Sequence, residues 1–202
     1  MKILIADDHC LHRELVRTFL APVYPEALIY EASDYFSVKE ICKNNQPTIV
    51  LLDLSMPNMN GLLSVNKLVS RFPDSKFIVC SASEHPILIQ TVMGFGAAGF
   101  IPKTLSCREL ITGIRYALEG DEYLPPSLNA DANITLTQRQ SEILGYICSG
   151  YSNKEIAARL DLSLHTVKFH AGLVFEKLKV QNRQQLISLI GLHKHPNQDA
   201  ML

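Results

Sequence analysis

Ile3-Leu4-Ile5-Ala6-Asp7-Asp8 and Ile49-Val50-Leu51-Leu52-Asp53 follow one pattern: a short apolar run, rich in branched residues, closed by carboxylate. Runs of this kind without polar alternation predict central strands of a parallel sheet covered on both faces. In an open α/β sheet, ligands bind beyond the carboxyl ends of the strands. Asp7, Asp8 and Asp53 would therefore converge on one crevice. At roughly 5 Å and an effective dielectric of about 20, each pair repels by about 3 kcal/mol. Such a cluster calls for a counter-charge, and a hard divalent cation held by oxygen supplies one.

Working outward, the same alternation continues through the first 120 residues. Strands are expected at 2–6, 27–32, 48–53, 76–81 and 98–101, and helices at 10–20, 34–44, 61–71, 86–96 and 106–119. Five βα units in regular order predict a doubly wound, five-stranded parallel sheet. Pro22 and Pro25, Pro47, and Pro73-Asp74 punctuate the approaches to the second, third and fourth strands, and Gly94, Gly96 and Gly99 the fifth. Residues 121–135, with Pro125-Pro126, lack periodicity and read as a linker.

After the linker the period is helical only. Thr137 opens a helix with Ile143, Leu144 and Ile147 on one face, and Gly150 ends it. Ser152 and Glu155 stand at capping-box spacing before Ile156, Ala157 and Leu160. A third helix runs from Ser163 or Leu164 to about Leu178, and a fourth from Asn182 to about Leu192. Two short helices joined by a tight turn, the second with polar and basic groups outward, form a helix-turn-helix pattern. Leu164, Val167, Val174 and Leu178 fit its buried stripe. The tail beyond Lys194 is expected to be disordered.

Charge divides along the same line. Residues 1–124 carry 11 Lys/Arg against 14 Asp/Glu, net −3; residues 131–202 carry 8 against 6, net +2, with four of the seven histidines. An acidic half with a metal site and a basic half with an anionic partner are the natural counterparts. No apolar run reaches the roughly 18 residues of a membrane helix, and no signal peptide is visible. Cys10, Cys42, Cys80, Cys107 and Cys148 stand singly, without zinc or disulfide spacing, which favours a reducing cytoplasm.

Residues 1–120 resemble the receiver domains of two-component response regulators. The likeness rests on Asp7-Asp8, Leu52-Asp53-Leu54-Ser55-Met56-Pro57-Asn58-Met59-Asn60-Gly61, Cys80-Ser81-Ala82 and Gly99-Phe100-Ile101-Pro102-Lys103. Residues 136–195 resemble the LuxR-type helix-turn-helix through Leu136-Thr137-Gln138-Arg139-Gln140, Ser152-Asn153-Lys154-Glu155-Ile156-Ala157, Leu162-Ser163, Thr166-Val167-Lys168 and Asn182-Arg183. The whole is similar to a NarL/FixJ-type regulator with a tail at 196–202. The resemblance implies a flavodoxin-like receiver, a four-helix DNA-binding domain, and a transcription regulator that turns over no substrate. It implies phosphorylation of Asp53 by a sensor histidine kinase. Mg²⁺ would be held by Asp8, Asp53 and the Ser55 backbone carbonyl, with Asp7 acting through water. Lys103 would face the phosphoryl oxygens, Ser81 would donate its hydroxyl to one, and Phe100 would rotate toward the space Ser81 vacates. A homodimer on two half-sites of double-stranded DNA would be the output.

The DNA contacts expected are Lys154, Ser163, Thr166, Lys168, Phe169, His170, Gly172 and Lys177, with Lys168 best placed to read a guanine edge. Lys179 and Arg183 would add long-range attraction. Engagement of about four phosphates would give a salt slope of roughly −3.6. Gly172 and Leu173 depart from the polar or basic residues usual at these positions. Two other functions stay open. An aspartyl-phosphate phosphatase needs a second acid two residues after its nucleophile, where this chain has Ser55. A protein-docking module without DNA binding has Gly172 and Leu173 as its support.

Overall fold

The computed structural model describes residues 1–104, 106–124 and 136–190. Five strands, β1 (Lys2–Ala6), β2 (Leu28–Ala32), β3 (Ile49–Asp53), β4 (Lys76–Ser81) and β5 (Gly99–Pro102), form one parallel sheet in the order β2-β1-β3-β4-β5. Helices α1 (Cys10–Leu20), α2 (Tyr35–Asn45), α3 (Leu62–Arg71), α4 (Pro86–Gly94) and α5 (Cys107–Glu119) connect and flank them. Side chains alternate faces along each strand. Leu4, Leu52, Val79 and Phe100 pack beneath α2, α3 and α4, while Ile3, Ile5, Leu51, Ile78 and Ile101 pack against α1 and α5. Both faces are therefore covered, as the unbroken apolar runs require.

The strand order reverses direction between β1 and β3, and register places Ala6 opposite Leu52. The residues that follow, Asp7 and Asp53, are thereby neighbours. Asp53 is opposite Cys80, and Ser81 opposite Pro102, so Ser81 and Lys103 come to the same edge. Burial pushes the thiols of Cys42, Cys80 and Cys148 up to about 12, and all five cysteines are free.

Helix ends follow local chemistry. Asp34 caps α2 and the Ser106–Glu109 pair caps α5. Helix α4 stops at Gly94, two residues before its expected end at 96, because Phe95 closes it and Gly96 turns with φ 89. Tyr123, expected in the linker, is instead built onto the sheet edge: its N–H donates to Ala98 O and its carbonyl accepts from the Phe100 N–H. The rest of the expected linker from 125, and the expected tail at 196–202, lie outside the described residues.

The second body comprises α6 (Gln138–Cys148), α7 (Asn153–Leu160), α8 (Leu164–Lys177) and α9 (Arg183–Ile190). Ser152 and Glu155 form the expected capping box, Thr137 forms a second one with Gln140, and Ser163 caps α8. Ile143, Leu144, Ile147, Ile156, Val167, Val174, Leu186 and Ile190 make the core. Leu164 is not part of it. At the first position of α8 it projects beyond the facing helices and is 42% exposed. Leu186 and Ile190 bury the inner face of α9, leaving Leu189 outward.

The two bodies meet through α6 and the loops beyond β3 and β4. A Cβ on Gly145 would lie 3.2 Å from Leu63, so α6 passes close over α3. Ser149 Oγ donates to Asn60 O (2.9 Å), and Asn60 Nδ2 to the Tyr151 hydroxyl (3.3 Å). Ser83 Oγ donates to Ile190 O (2.8 Å).

Candidate functional site

Asp7 is 2% exposed and Asp53 1%, so neither carboxylate is solvated well enough to stand without compensation. Lys103 supplies it: Nζ lies 2.7 Å from Asp7 Oδ2 and 3.0 Å from Asp53 Oδ2. Asp53 Oδ1 accepts the Ser55 N–H at 3.1 Å, whereas Oδ2 meets Lys103 and no other polar group. His9 Nδ1 is 2.8 Å from Asp8 Oδ1 and 3.1 Å from Asp7 Oδ1. Its ring is thus turned to the acids and gives α1 no side-chain cap.

Burial alone would raise the pKa of Asp7; hydrogen bonds from His12, Lys103 and the His9 N–H reverse this and hold it well below the carboxylate range. Burial raises Asp53. Lys103 and the Ser55 N–H oppose the rise and the Asp7 charge adds to it, leaving Asp53 above the ordinary value. Burial works against the Lys103 ammonium, but the two carboxylates outweigh it and raise its pKa.

Ligand atoms from Asp7, Asp8, His9 and Asp53 all lie within 4.8 Å of one another. Three carboxylates gathered at this spacing suit a hard divalent cation. Ser81, at the end of β4, is buried and its Oγ accepts the Ser83 N–H at 3.1 Å. Phe100 is fully buried on the α4 side of the sheet. Asp7, Asp8, Asp53, Ser55, Ser81 and Lys103 thus lie at the carboxyl end of the sheet, while Phe100, opposite Val79, lies inside it.

His12 was not expected. Its Nδ1 meets Asp7 Oδ2 at 2.7 Å from the first turn of α1. The signal for it lies in helical geometry, since a helix beginning at residue 10 turns its third residue back over the strand end. Ser83 and Tyr151, which help join the two bodies, stand outside every motif, and Asn60, inside the receiver stretch, has no sequence signal for that contact.

On the second body, α8 presents His165, Lys168, Phe169 and Gly172 outward, with Phe169 58% exposed. Ser163 and Lys154 are exposed at the adjacent helix starts, and Thr166 is half-buried, its N–H donating to Ser163 Oγ at 3.0 Å. His170 is half-buried, with Nδ1 lacking a hydrogen-bond partner. Lys177 Nζ donates to Gln140 Oε1 at 3.0 Å. Arg183, half-buried, donates from Nε to Ile147 O at 3.3 Å and from Nη2 to Tyr151 O, at the end of α6. Helix α8 contacts α6 and α7, and its outer face is uncovered.

Comparison with known proteins agrees with this division. Residues 3–115 match the response regulator receiver domain, and residues 134–190 match the bacterial regulatory proteins of the luxR family. The oxygen regulatory protein NreC of Staphylococcus carnosus is 32% identical, over 93% of this chain and 95% of the relative. The nitrate/nitrite response regulator protein NarL of Escherichia coli K12 is 33% identical, over 90% of each. A solved structure of RcsB from Salmonella enterica serovar Typhimurium, bound to promoter rprA with phosphomimetic BeF3−, shares the fold. Its TM-score is 0.72 at 22% identity, covering 95% of this chain and 98% of that one. No helix among the described residues is long and apolar enough to cross a membrane. With a receiver sheet ending in an acidic pocket and a LuxR-type helix-turn-helix behind it, the chain belongs to the NarL/FixJ-type two-component response regulators, DNA-binding regulators of transcription.

Proposed function

We propose that Asp53 takes a phosphoryl group from a sensor histidine kinase and that its modification controls binding of a homodimer to double-stranded DNA. The observation that carries this is Asp53 Oδ2: buried, 3.0 Å from the Lys103 ammonium and with no other polar partner. It is the nucleophile. A bond forms from Oδ2 to phosphorus as the phosphorus–nitrogen bond of the donor histidine breaks; with the donor's other ring nitrogen already protonated, the histidine leaves as neutral imidazole. Lys103 meets the charge gathering on the phosphoryl oxygens, and the Ser55 N–H holds Oδ1 so that Oδ2 faces the donor. Asp8, Asp53 and the Ser55 carbonyl would hold Mg²⁺, with Asp7 acting through water. When bound, the ion supplies further neutralisation of the transferred group. Where an aspartyl-phosphate phosphatase needs a second acid two residues after its nucleophile this chain has Ser55, which favours a switch over ester turnover.

Ser81 and Phe100 are the switch pair in this reading. When Ser81 Oγ turns to a phosphoryl oxygen, its hydrogen bond with the Ser83 N–H is lost. Ser83 also holds Ile190 O, so the event reaches the last turn of α9 through two hydrogen bonds. On DNA, Lys168, Phe169 and Gly172 face the major groove, while Lys154, Ser163 and Thr166 meet backbone phosphates; His170 orients Phe169, and Lys177 joins them on releasing Gln140.

Wild type incubated with Mg²⁺ and a small phosphodonor should gain one phosphoryl group by intact mass, and Asp53→Asn none. Selection from a random DNA pool should enrich an inverted motif when beryllofluoride is present. A labelled Asp53→Asn protein would refute the assignment.

A further inference from the structure

Asp7 is unusual in how completely it is occupied. Oδ1 accepts the His9 N–H at 2.9 Å and faces His9 Nδ1 at 3.1 Å. Oδ2 faces His12 Nδ1 and Lys103 Nζ, each at 2.7 Å. Carboxylate oxygens carry about four lone-pair sites between them, and all are used. Lys103 is also the cation of Asp53, and a phosphoryl group there would require it to turn outward from Asp7. A buried carboxylate resists losing a donor, because water cannot replace it.

We propose that His12 is a positioning residue for phosphoryl transfer: its Nδ1–H keeps Asp7 Oδ2 satisfied, so that Lys103 can leave Asp7 for the phosphoryl group. The inference rests on Asp53 as the phosphoacceptor. His12 touches neither Asp53 nor a donor; it acts through Asp7 and Lys103. Behind its ring is a cavity of about 110 Å³ whose walls include Leu15, Val16, Ile101 and Leu110. A leucine at position 12 has apolar surroundings to enter, so His12→Leu retains the fold while removing the donor.

The test compares His12→Leu, His12→Asn and His12→Gln with wild type. Phosphorylation by phosphoramidate in Mg²⁺ is followed by intact mass, and Mn²⁺ affinity is measured separately by electron paramagnetic resonance. His12→Leu should slow phosphorylation about tenfold, the equivalent of about 1.36 kcal/mol of barrier. Mn²⁺ affinity should change by far less than the roughly 10- to 100-fold loss that follows removal of a group orienting a ligand. His12→Asn, whose amide nitrogen falls where Nδ1 was, should recover most of the rate, and His12→Gln should not. An unchanged rate in His12→Leu, or an Mn²⁺ affinity that falls in step with the rate, overturns the proposal while wild type is still labelled. Failure of wild type itself to be labelled strikes the Asp53 reading and removes the inference with it.

Discussion

At the end of β1 and β3, four donor groups converge on Asp7 and one lysine is divided between two buried acids. Along the outer face of α8, Lys168, Phe169 and Gly172 face outward. In the pocket each charge is positioned by its neighbours, and removing one displaces the others. On α8, Lys168 and Gly172 stand outward, away from the core, and Phe169 meets its neighbour His170 with ring centroids 5.5 Å apart. Reactive chemistry needs the first arrangement, because atoms must be held before the reaction begins. Groove reading uses the second, because the partner supplies the missing half of each contact.

The sharpest challenge to the outward α8 residues is Lys168→Ala. It should weaken specific DNA binding by about 1–3 kcal/mol and relax preference at one base pair, with thermal stability unchanged. Competition binding against single-base variants measures this. Uniform weakening on every sequence, with the salt slope reduced by about 1, would make Lys168 a phosphate contact instead.

The interdependence of the pocket predicts a gain from losing charge. Asp53 has a raised pKa in the folded state, so between the unfolded value, about 3.9, and the folded one the native protein binds more protons. Stability therefore falls as pH rises through that window, and the cost persists at neutrality. In EDTA at pH 7, Asp53→Asn should be more stable than wild type by about 1 kcal/mol, or about 2–4 °C in Tm. The gap should close as pH falls toward the unfolded value, and Mg²⁺ should narrow it by stabilising wild type alone. A less stable Asp53→Asn in EDTA would mean that the lysine contact outweighs burial.

The smallest effect is expected at Gly172. A Cβ there meets nothing within 4 Å, and the residue lies inside a helix. Gly172→Ala should stabilise the C-terminal body by about 0.5–1 kcal/mol in chemical denaturation. Loss of DNA affinity in the same variant would show that close backbone approach is what the glycine is for.

The strands, the helix starts at Thr137 and Ser152 and the acids at the strand ends are legible in the sequence, because each is a local pattern of period, branching or capping chemistry. Asp7, Asp8, Asp53 and Lys103 could be placed together because parallel topology delivers strand ends to one edge. Tertiary structure alone decided the rest. His12 reaches Asp7 only once α1 is docked; Lys177 and Arg183, read as surface cations, are drawn to Gln140 and to the carbonyls of Ile147 and Tyr151. Asn60 with Tyr151, and Ser83 with Ile190, join residues 91 and 107 positions apart. Local sequence specifies backbone geometry and the face each side chain takes. Which donor meets which acceptor across such distances depends on how two finished surfaces fit, and no periodicity in the chain encodes that.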